Sequence, residues 1–477
     1  MKKIFILTAL KLSCLLLITT TLKAQYLEVD WGTKSMENSL FSLSQNFVDN
    51  DQNIYSIGYF SETIFIDDTG TLSPYTSNGS LDMIVEKRTA TGELLWAKTF
   101  GGVDDDYLRA ITVSASGYIY LGGSFTGMAN FGTADAPQEL EAVNGLDGFL
   151  MKLNSDGEFQ WVKSIGAVGT EQITALAMDG DEYLIIGGVI QETTDMDMGE
   201  GVYELDNNRG MFIEKLSIDG DFVWAKEMGS LNTNDVQRDW IYEIEVDDNH
   251  DIIFSGAVYE FADMDPSLET NIINLGEFSR LPFIEKLDSE GNFEWVNQMG
   301  YLHLSTYDFE LGSEGDIIFM GGFIGSFDAD PSSNEYLLAA AENIAQFLVS
   351  YTPEGELNWG GVLESIDQYM FQDICIDNDD NIYLVGGFRQ DVSIAPLNNE
   401  TVMYLSDNKD PKMLIVKLNN DGSYEWVNDL NPLELGTMKI HCENEDEILL
   451  NGTTFGEADF APGPNNLIKM LHNLLKS

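Results

Sequence analysis

Carboxylates are the groups with which this 477-residue chain could do chemistry: 80 Asp and Glu stand against 24 Lys and Arg, a net charge of −56. Three Asp-x-Asp pairs recur in comparable places: Asp195/Asp197, Asp263/Asp265 and Asp328/Asp330, the last two followed by Pro266 and Pro331. Carboxylates alternating with backbone carbonyls suit a hard cation, and Ca²⁺, which takes roughly six to eight oxygens, is the expected ion if these loops hold metal. An Asx turn stopped by proline needs the same residues and no metal. A second acidic pattern, in Asp49-x-Asp51-x-Asn53, Asp247-x-Asn249-x-Asp251 and Asp377-x-Asp379-x-Asn381, opens like a calcium loop. It lacks the following glycine and the distal Glu, so turn chemistry accounts for it.

The elements that must position these acids are repeated. Trp31, Trp96, Trp161, Trp224, Trp295, Trp359 and Trp426 follow one another at 65, 65, 63, 71, 64 and 67 residues. Between them runs Gly58, Gly122, Gly187, Gly256, Gly321, Gly386 and Gly452 at gaps of 64 to 69. Two interleaved series predict one unit repeated seven times. Each unit reads as an acidic turn and an apolar run ending in Gly, such as Tyr118–Gly122, then a variable loop and a second hairpin such as Phe149–Trp161. Lys152, Lys215, Lys286 and Lys417 sit at one place in that hairpin, and Gly-x-x-x-Trp closes it. Short β-branched and aromatic runs between Asp/Asn/Gly turns are strands, and four per unit make the blade of a β-propeller. The expected fold is therefore all-β: a seven-bladed propeller over residues 25–477, its ring closed by the N-terminal strand around Trp31 completing the last blade. Asn466–Asn473 is expected as that blade's third strand, and the blade is expected to be incomplete. The indole of each Gly-x-x-x-Trp turn is expected to pack between neighbouring blades.

The Lys-Leu-x-x-Asp-Gly-x-x-x-Trp runs, the Asp/Asn-Gly hairpins and loops such as Phe327–Pro331 resemble the SBBP-type β-propeller repeats of secreted Bacteroidetes proteins, over about residues 26–465. That resemblance implies the fold and export, and implies no catalytic residues.

Residues 1–24 read as a cleaved export signal: a basic start, an apolar stretch and Ala24 at its end. They hold four lysines and no acid, so the mature chain carries −60. Such a charge excludes nucleic-acid binding, which needs clustered Lys and Arg, and no other segment is apolar enough to insert in a membrane. The expected location is periplasmic, cell-surface or extracellular. Cys375 and Cys442 are one residue out of phase in corresponding strands of adjacent repeats, hence on opposite strand faces, and are expected to remain thiols.

Catalytic patterns are weak. Quinone-dependent dehydrogenases with tryptophan-docking repeats would need eight blades and vicinal cysteines. Sialidase-like propellers would need a shorter Gly-to-Trp spacing and three convergent arginines. His250, His303, His441 and His472 lack metal-ligand spacing. Function is expected in the variable loops, which share one propeller face. Trp240, outside the tryptophan series, is the candidate aromatic contact there. The reading is a non-catalytic binding module for a glycan, adhesive or protein ligand. The alternatives are a calcium-assisted polysaccharide-active enzyme at the channel mouth, marked by carboxylates of several blades converging on one pocket, and a structural envelope or matrix component.

Overall fold

The computed structural model describes residues 33–35, 40–68, 71–206, 210–231, 239–259, 261–267, 269–274, 280–299, 307–365, 371–388, 392–394, 402–404, 412–430, 435–444, 447–455 and 468–475. The expected export signal and Trp31 lie outside these. The described residues are all-β, with no helix long and apolar enough to cross a membrane.

Six antiparallel four-stranded units follow one another, and each joins its strands in sequence order. The fourth is representative: Trp240–Val246, Ile252–Tyr259, Arg280–Leu287 and Phe293–Gln298. The second and third strands of each unit share a buried central segment of about seven residues, as in Ile382–Phe388 and Asp82–Arg88, and the longer strands run out beyond it into solvent. This explains their near-continuous apolar sequence, because a strand covered on both faces has no reason to alternate. The acidic turns obey turn chemistry. Asp377 Oδ1 accepts the N–H groups of Asp379 and Asn381 at 3.0 and 2.9 Å, while Asp380 takes a φ of 60°. Asp49 and Asp247 do the same in their own turns.

The core lies between units. One cluster joins Ile185, Ile213 and Met228 of the third unit to Phe254, Leu281 and Phe283 of the fourth, and similar clusters join the other successive pairs. The Gly-x-x-x-Trp turns key the stack. A Cβ on Gly291 would lie 2.8 Å from the Trp224 ring, and one on Gly355 would lie 2.7 Å from Trp295. Gly157 and Gly220 stand in the same relation to Trp96 and Trp161. Each turn glycine thus serves twice: it takes a positive φ, and it leaves room for the indole of the preceding unit. Trp96, Trp295 and Trp359 also donate Nε1–H to a carbonyl of the next unit's turn. The recurrent lysine tightens the stack. Lys152 donates to the carbonyl of Ile218 at 2.8 Å and pairs with Asp219 at 3.2 Å, one unit on.

A second device clips neighbours at the periphery. In the second, fourth and sixth units the extension that follows the second strand pairs with the fourth strand of the unit before it. Phe261–Asp263 lies on Phe222–Ser230, and Val392–Ile394 on Leu357–Ser365. Thr63–Asp68, the same extension in the first unit, lies on Thr33–Ser35. Thr33–Ser35 in turn joins the C-terminal sheet Leu435–Asn444, Glu447–Phe455 and Ile468–Leu475. The strand expected over Asn466–Asn473 occupies Ile468–Leu475 and runs parallel to Glu447–Phe455 rather than in a meander.

The expectation of two free thiols is overturned: Cys375 and Cys442 form a disulfide, with Cα atoms 6.0 Å apart. Their opposite phase is what permits it. Phe371–Ile376 and Leu435–Asn444 are stacked face to face, in contact with one another. Side chains that meet across such a gap come from opposite faces of equivalent strands. The bridge closes a loop of 67 residues, for which chain entropy predicts up to about 4 kcal/mol. Scanning calorimetry should show a lower unfolding temperature with a phosphine reductant or in Cys375→Ser, and no further loss when the two are combined.

Candidate functional site

The seven strands Phe41–Val48, Tyr107–Val113, Gln172–Asp179, Trp240–Val246, Tyr307–Leu311, Phe371–Ile376 and Leu435–Asn444 share a cavity of about 370 Å³. Most carry a bulge at one place: at Ser44, Arg109, Thr174, Tyr242 and Gln372 the register slips by one residue. The residue after the bulge then occupies one repeated position, opposite the residue that precedes a second-strand glycine or opposite a glycine itself. Its occupants are Gln45, Ala110, Ala175, Glu243, Asp308, Asp373 and Lys439. Two residues further along come Glu245 and Glu310. Five carboxylates and one ammonium therefore converge on the cavity wall.

Several of these side chains hold the neighbouring strand. Gln45 Oε1 accepts the Ile111 N–H at 2.9 Å, Glu243 Oε2 accepts that of Phe309 at 3.4 Å, and Asp373 Oδ2 accepts that of Ile440 at 2.6 Å. Asp308 and Glu245 take the N–H groups of Ile374 and Leu311. Lys439 reverses the direction: it bonds back to Asp373 and lies 3.7 Å from Asp308.

The charges are strongly coupled. Burial and the Asp308 charge push Glu243 far up, and the same causes push Glu245 up to about 8. Burial, then Glu245 and Asp308, raise Glu310. Burial acts on Asp308 too, but Lys439 and the hydrogen bonds from Glu243 and Asp373 outweigh it and hold this carboxyl below its usual range. Burial and Asp308 raise Asp373 despite its contact with Lys439. The contact and the shift are reconciled if Asp308 and Asp373 share the charge that Lys439 neutralises. Lys439 is itself raised, because the three carboxylates around it outweigh its burial.

The sequence-expected residues lie elsewhere. Asp195, Asp263 and Asp328 clasp their loops. Each Oδ1 accepts the N–H two residues on and the N–H eight residues on, for example Asp265 at 3.2 Å and Asn271 at 2.9 Å from Asp263. Asn130 makes the same clasp without charge. Asp197, Asp265 and Asp330 each accept the N–H two residues further on. Among the described residues no three His, Cys, Asp or Glu side chains already stand in the geometry of a metal centre. Trp240 opens the strand Trp240–Val246, and the Arg109 guanidinium covers its ring at 5.1 Å while also lying 5.0 Å from the Tyr107 ring. Sequence reasoning missed the cavity acids. The alternation Tyr242-Glu-Ile-Glu-Val246 and Tyr307-Asp-Phe-Glu-Leu311 was the available signal, since acid at alternate positions of an inner strand puts charge on one face.

No family model matches the chain. It is 20% identical over 156 residues to a regulatory protein, FlaEY, of Caulobacter vibrioides, covering 33% of this chain and 16% of that protein. It is 23% identical over 237 residues to an uncharacterized WD repeat-containing protein of Acanthamoeba polyphaga mimivirus, covering 44% of this chain and 17% of that protein. The chain thus spans about a sixth of the length of these curated relatives. Among solved structures, a europium-containing methanol dehydrogenase overlaps 82% of this chain and 84% of its own at 9% identity, with a TM-score of 0.35. A protein of unknown function from Bacteroides caccae overlaps 58% and 89% at 7% identity, with a TM-score of 0.28. These overlaps are too slight to carry an argument.

Removing the ammonium from its carboxylates should be costly. Lys439→Met should lose about 3–5 kcal/mol in denaturant unfolding, and adding Asp373→Asn should restore part of it. The pH dependence follows from the raised acids. Burial lifts Asp82 to about 6, and Asp106, Glu171 and Asp239 to about 7, beside Glu245 at about 8. The folded state then binds more protons than the unfolded one between about pH 4 and 8, so stability is greatest at the acid end and declines as pH rises through these values. Thermal melts from pH 5 to 8 should show a falling midpoint, and Asp239→Asn should flatten the decline.

Proposed function

We propose that the chain is an exported, seven-bladed β-propeller of the SBBP type, its ring closed by the N-terminal strand, that works as a non-catalytic interaction module for a basic segment of a protein partner. Closure is favoured by the clip at the periphery: Thr33–Ser35 takes the place of a fourth strand for the extension of the first unit and sits in the sheet of the last. The inner strands favour it too, since each touches the next and Phe41–Val48 touches Leu435–Asn444. The WD-repeat relative agrees with a propeller reading.

The observation that carries the function is the cavity with five carboxylates and one lysine. Crowded acids that hold protons for want of counter-charge form a receptor for a cation, because an incoming ammonium or guanidinium takes the protons' place. The acidic variable loops extend the same negative field toward solvent and would steer such a partner. A hexalysine peptide titrated calorimetrically should bind at low salt and lose at least tenfold in affinity by about 0.5 M NaCl. Affinity should rise with pH through about 8 as Glu245 deprotonates. Glu245→Gln/Glu310→Gln should bind at least tenfold more weakly. Binding of a neutral oligosaccharide with no binding of hexalysine would replace this reading with a glycan receptor, and binding of neither would favour the matrix component.

One observation favours a second reading, the calcium-assisted polysaccharide-active enzyme. Glu245, held protonated, and Asp308, held ionised, share one cavity, and carboxyls pushed apart in this way can serve as acid and base. Release of reducing ends from an acidic or neutral polysaccharide, abolished by Glu245→Gln, would establish it.

A further inference from the structure

We propose that Asp263, Asp265 and Glu285 form a calcium site between the third and fourth units, with a weaker copy at Asp195, Asp197 and Glu214 one unit earlier. This site is separate from the acid-lined cavity and stands or falls without it.

Glu285 carries the argument. It lies in Arg280–Leu287, a third strand, where its side chain is 0% exposed and neither carboxylate oxygen has a hydrogen-bond partner. A buried carboxylate with both oxygens orphaned is one of the costliest arrangements a fold can hold, and natural cores avoid it unless a proton or cation completes it. The charges that bear on Glu285 are those of Asp265 and Asp263, which are themselves 9% and 1% exposed. Among the described residues no Lys or Arg is one of the charges that bear on it, so those charges aggravate the problem instead of relieving it. Phe261–Asp263 is the clip laid on the third unit, which brings this loop to the seam between the two units.

The arrangement is repeated where its parts are present. Glu214 occupies the same register as Glu285, each one residue before the lysine that faces the series tryptophan: Lys215 opposite Trp224, and Lys286 opposite Trp295. Glu214 is also 0% exposed with both oxygens unpartnered, and the charges acting on it are those of Asp197, Lys163 and Asp195. In the fifth unit the equivalent residue is Val349, next to Ser350 opposite Trp359. There the Asp328/Asp330 loop has no buried acid beneath it, and Asp328 is exposed. In the second unit Asn130 clasps the loop, Gly132 replaces the second Asp, and the third strand presents Met151 opposite Val162, again one residue before the lysine, Lys152, that faces the series tryptophan, Trp161. Two of four loops therefore pair Asp-x-Asp with a buried Glu, and the other two lack the Glu.

An all-carboxylate set with no His or Cys selects a hard cation of the size of Ca²⁺ over zinc or copper. The first Asp of each loop holds the backbone in shape, as Asn130 does in the second unit, and the second Asp and the Glu supply the additional charge. These carboxylates do not already stand in ligating positions, so binding would require the loop to close onto Glu285. Lys163 beside Glu214 offsets one charge at the earlier site, which makes that copy the weaker.

Isothermal titration of the metal-stripped chain with CaCl₂ near pH 7.5 should resolve one tight and one weaker event above any diffuse surface binding. MgCl₂ should give at least tenfold weaker affinity. Glu285→Gln should abolish the tight event and leave the weak one, Glu214→Gln the reverse, and Asp156→Asn at an exposed turn should change neither. Thermal melts guard against misfolded variants. Calcium should raise the wild-type midpoint by several degrees, and Glu285→Gln should melt no lower than wild type in chelator, because it removes a carboxylate with no partner. Absence of calcium binding by the wild-type chain, or a tight event that survives Glu285→Gln, would overturn the proposal.

Discussion

The seating of one unit's indole on the glycine turn of the next is the constraint from which the rest of this structure follows. A four-stranded unit covers its middle strands only when a neighbour lies on each face, and the apolar clusters are accordingly shared between units, not enclosed within them. The Trp224–Gly291 and Trp295–Gly355 contacts fix the distance and rotation of each step. Once that step is set, the inner strands have no choice but to converge, and whatever those strands carry at the repeated position is brought together. The acid-lined cavity is a consequence of the stacking rule acting on particular residues.

Those residues show that the structural task at the inner position does not need charge. Gln45 holds Ile111 with a neutral amide, while Ala110 and Ala175 have no side-chain acceptor to offer the neighbouring backbone. Glu243, Asp308 and Asp373 do the work of Gln45 with carboxylates, and the fold must then supply Lys439 and hold several protons to tolerate them. Where a neutral side chain serves in one unit and a charged one in the next, the charge answers to something other than the fold. This contrast, more than the number of acids, sets the three units from Glu243 to Asp373 apart from the first three.

The sequence made the repeat, its strand grammar and its turn chemistry legible, because each rests on local rules: a period, an apolar run, an Asx residue before a glycine. The glycine of Gly-x-x-x-Trp was legible as a turn, and its second duty as the seat of an indole appears only with the neighbour in place. The misreading of Cys375 and Cys442 has the same origin. Opposite faces exclude a bridge between strands in one sheet and favour it between stacked sheets, and strand phase alone does not say which applies. Glu285 and Glu214 stayed hidden for another reason. Each sits beside the lysine of the repeat in an apolar strand, where it reads as half of a solvated charge pair until its burial is known.

The net charge of −56 invites the view that this chain is simply a solvated polyanion. The structure divides that charge into two populations. Acids such as Asp377 and Asp247 sit in turns and hold backbone N–H groups or a lysine, needing nothing further. Glu285 and Glu214 are enclosed, and burial and neighbouring acids oppose their usual ionisation, as they do for Glu243, Glu245, Glu310 and Asp373 on the cavity wall, where only Asp308 is held below its usual range. Surface charge keeps a protein soluble wherever it is placed. Enclosed charge costs stability at every pH at which it ionises. Val349, Met151 and Gln45 show that the same positions can be filled without charge, so the fold alone does not require these acids, and the cation binding proposed above is the role that would offset their cost.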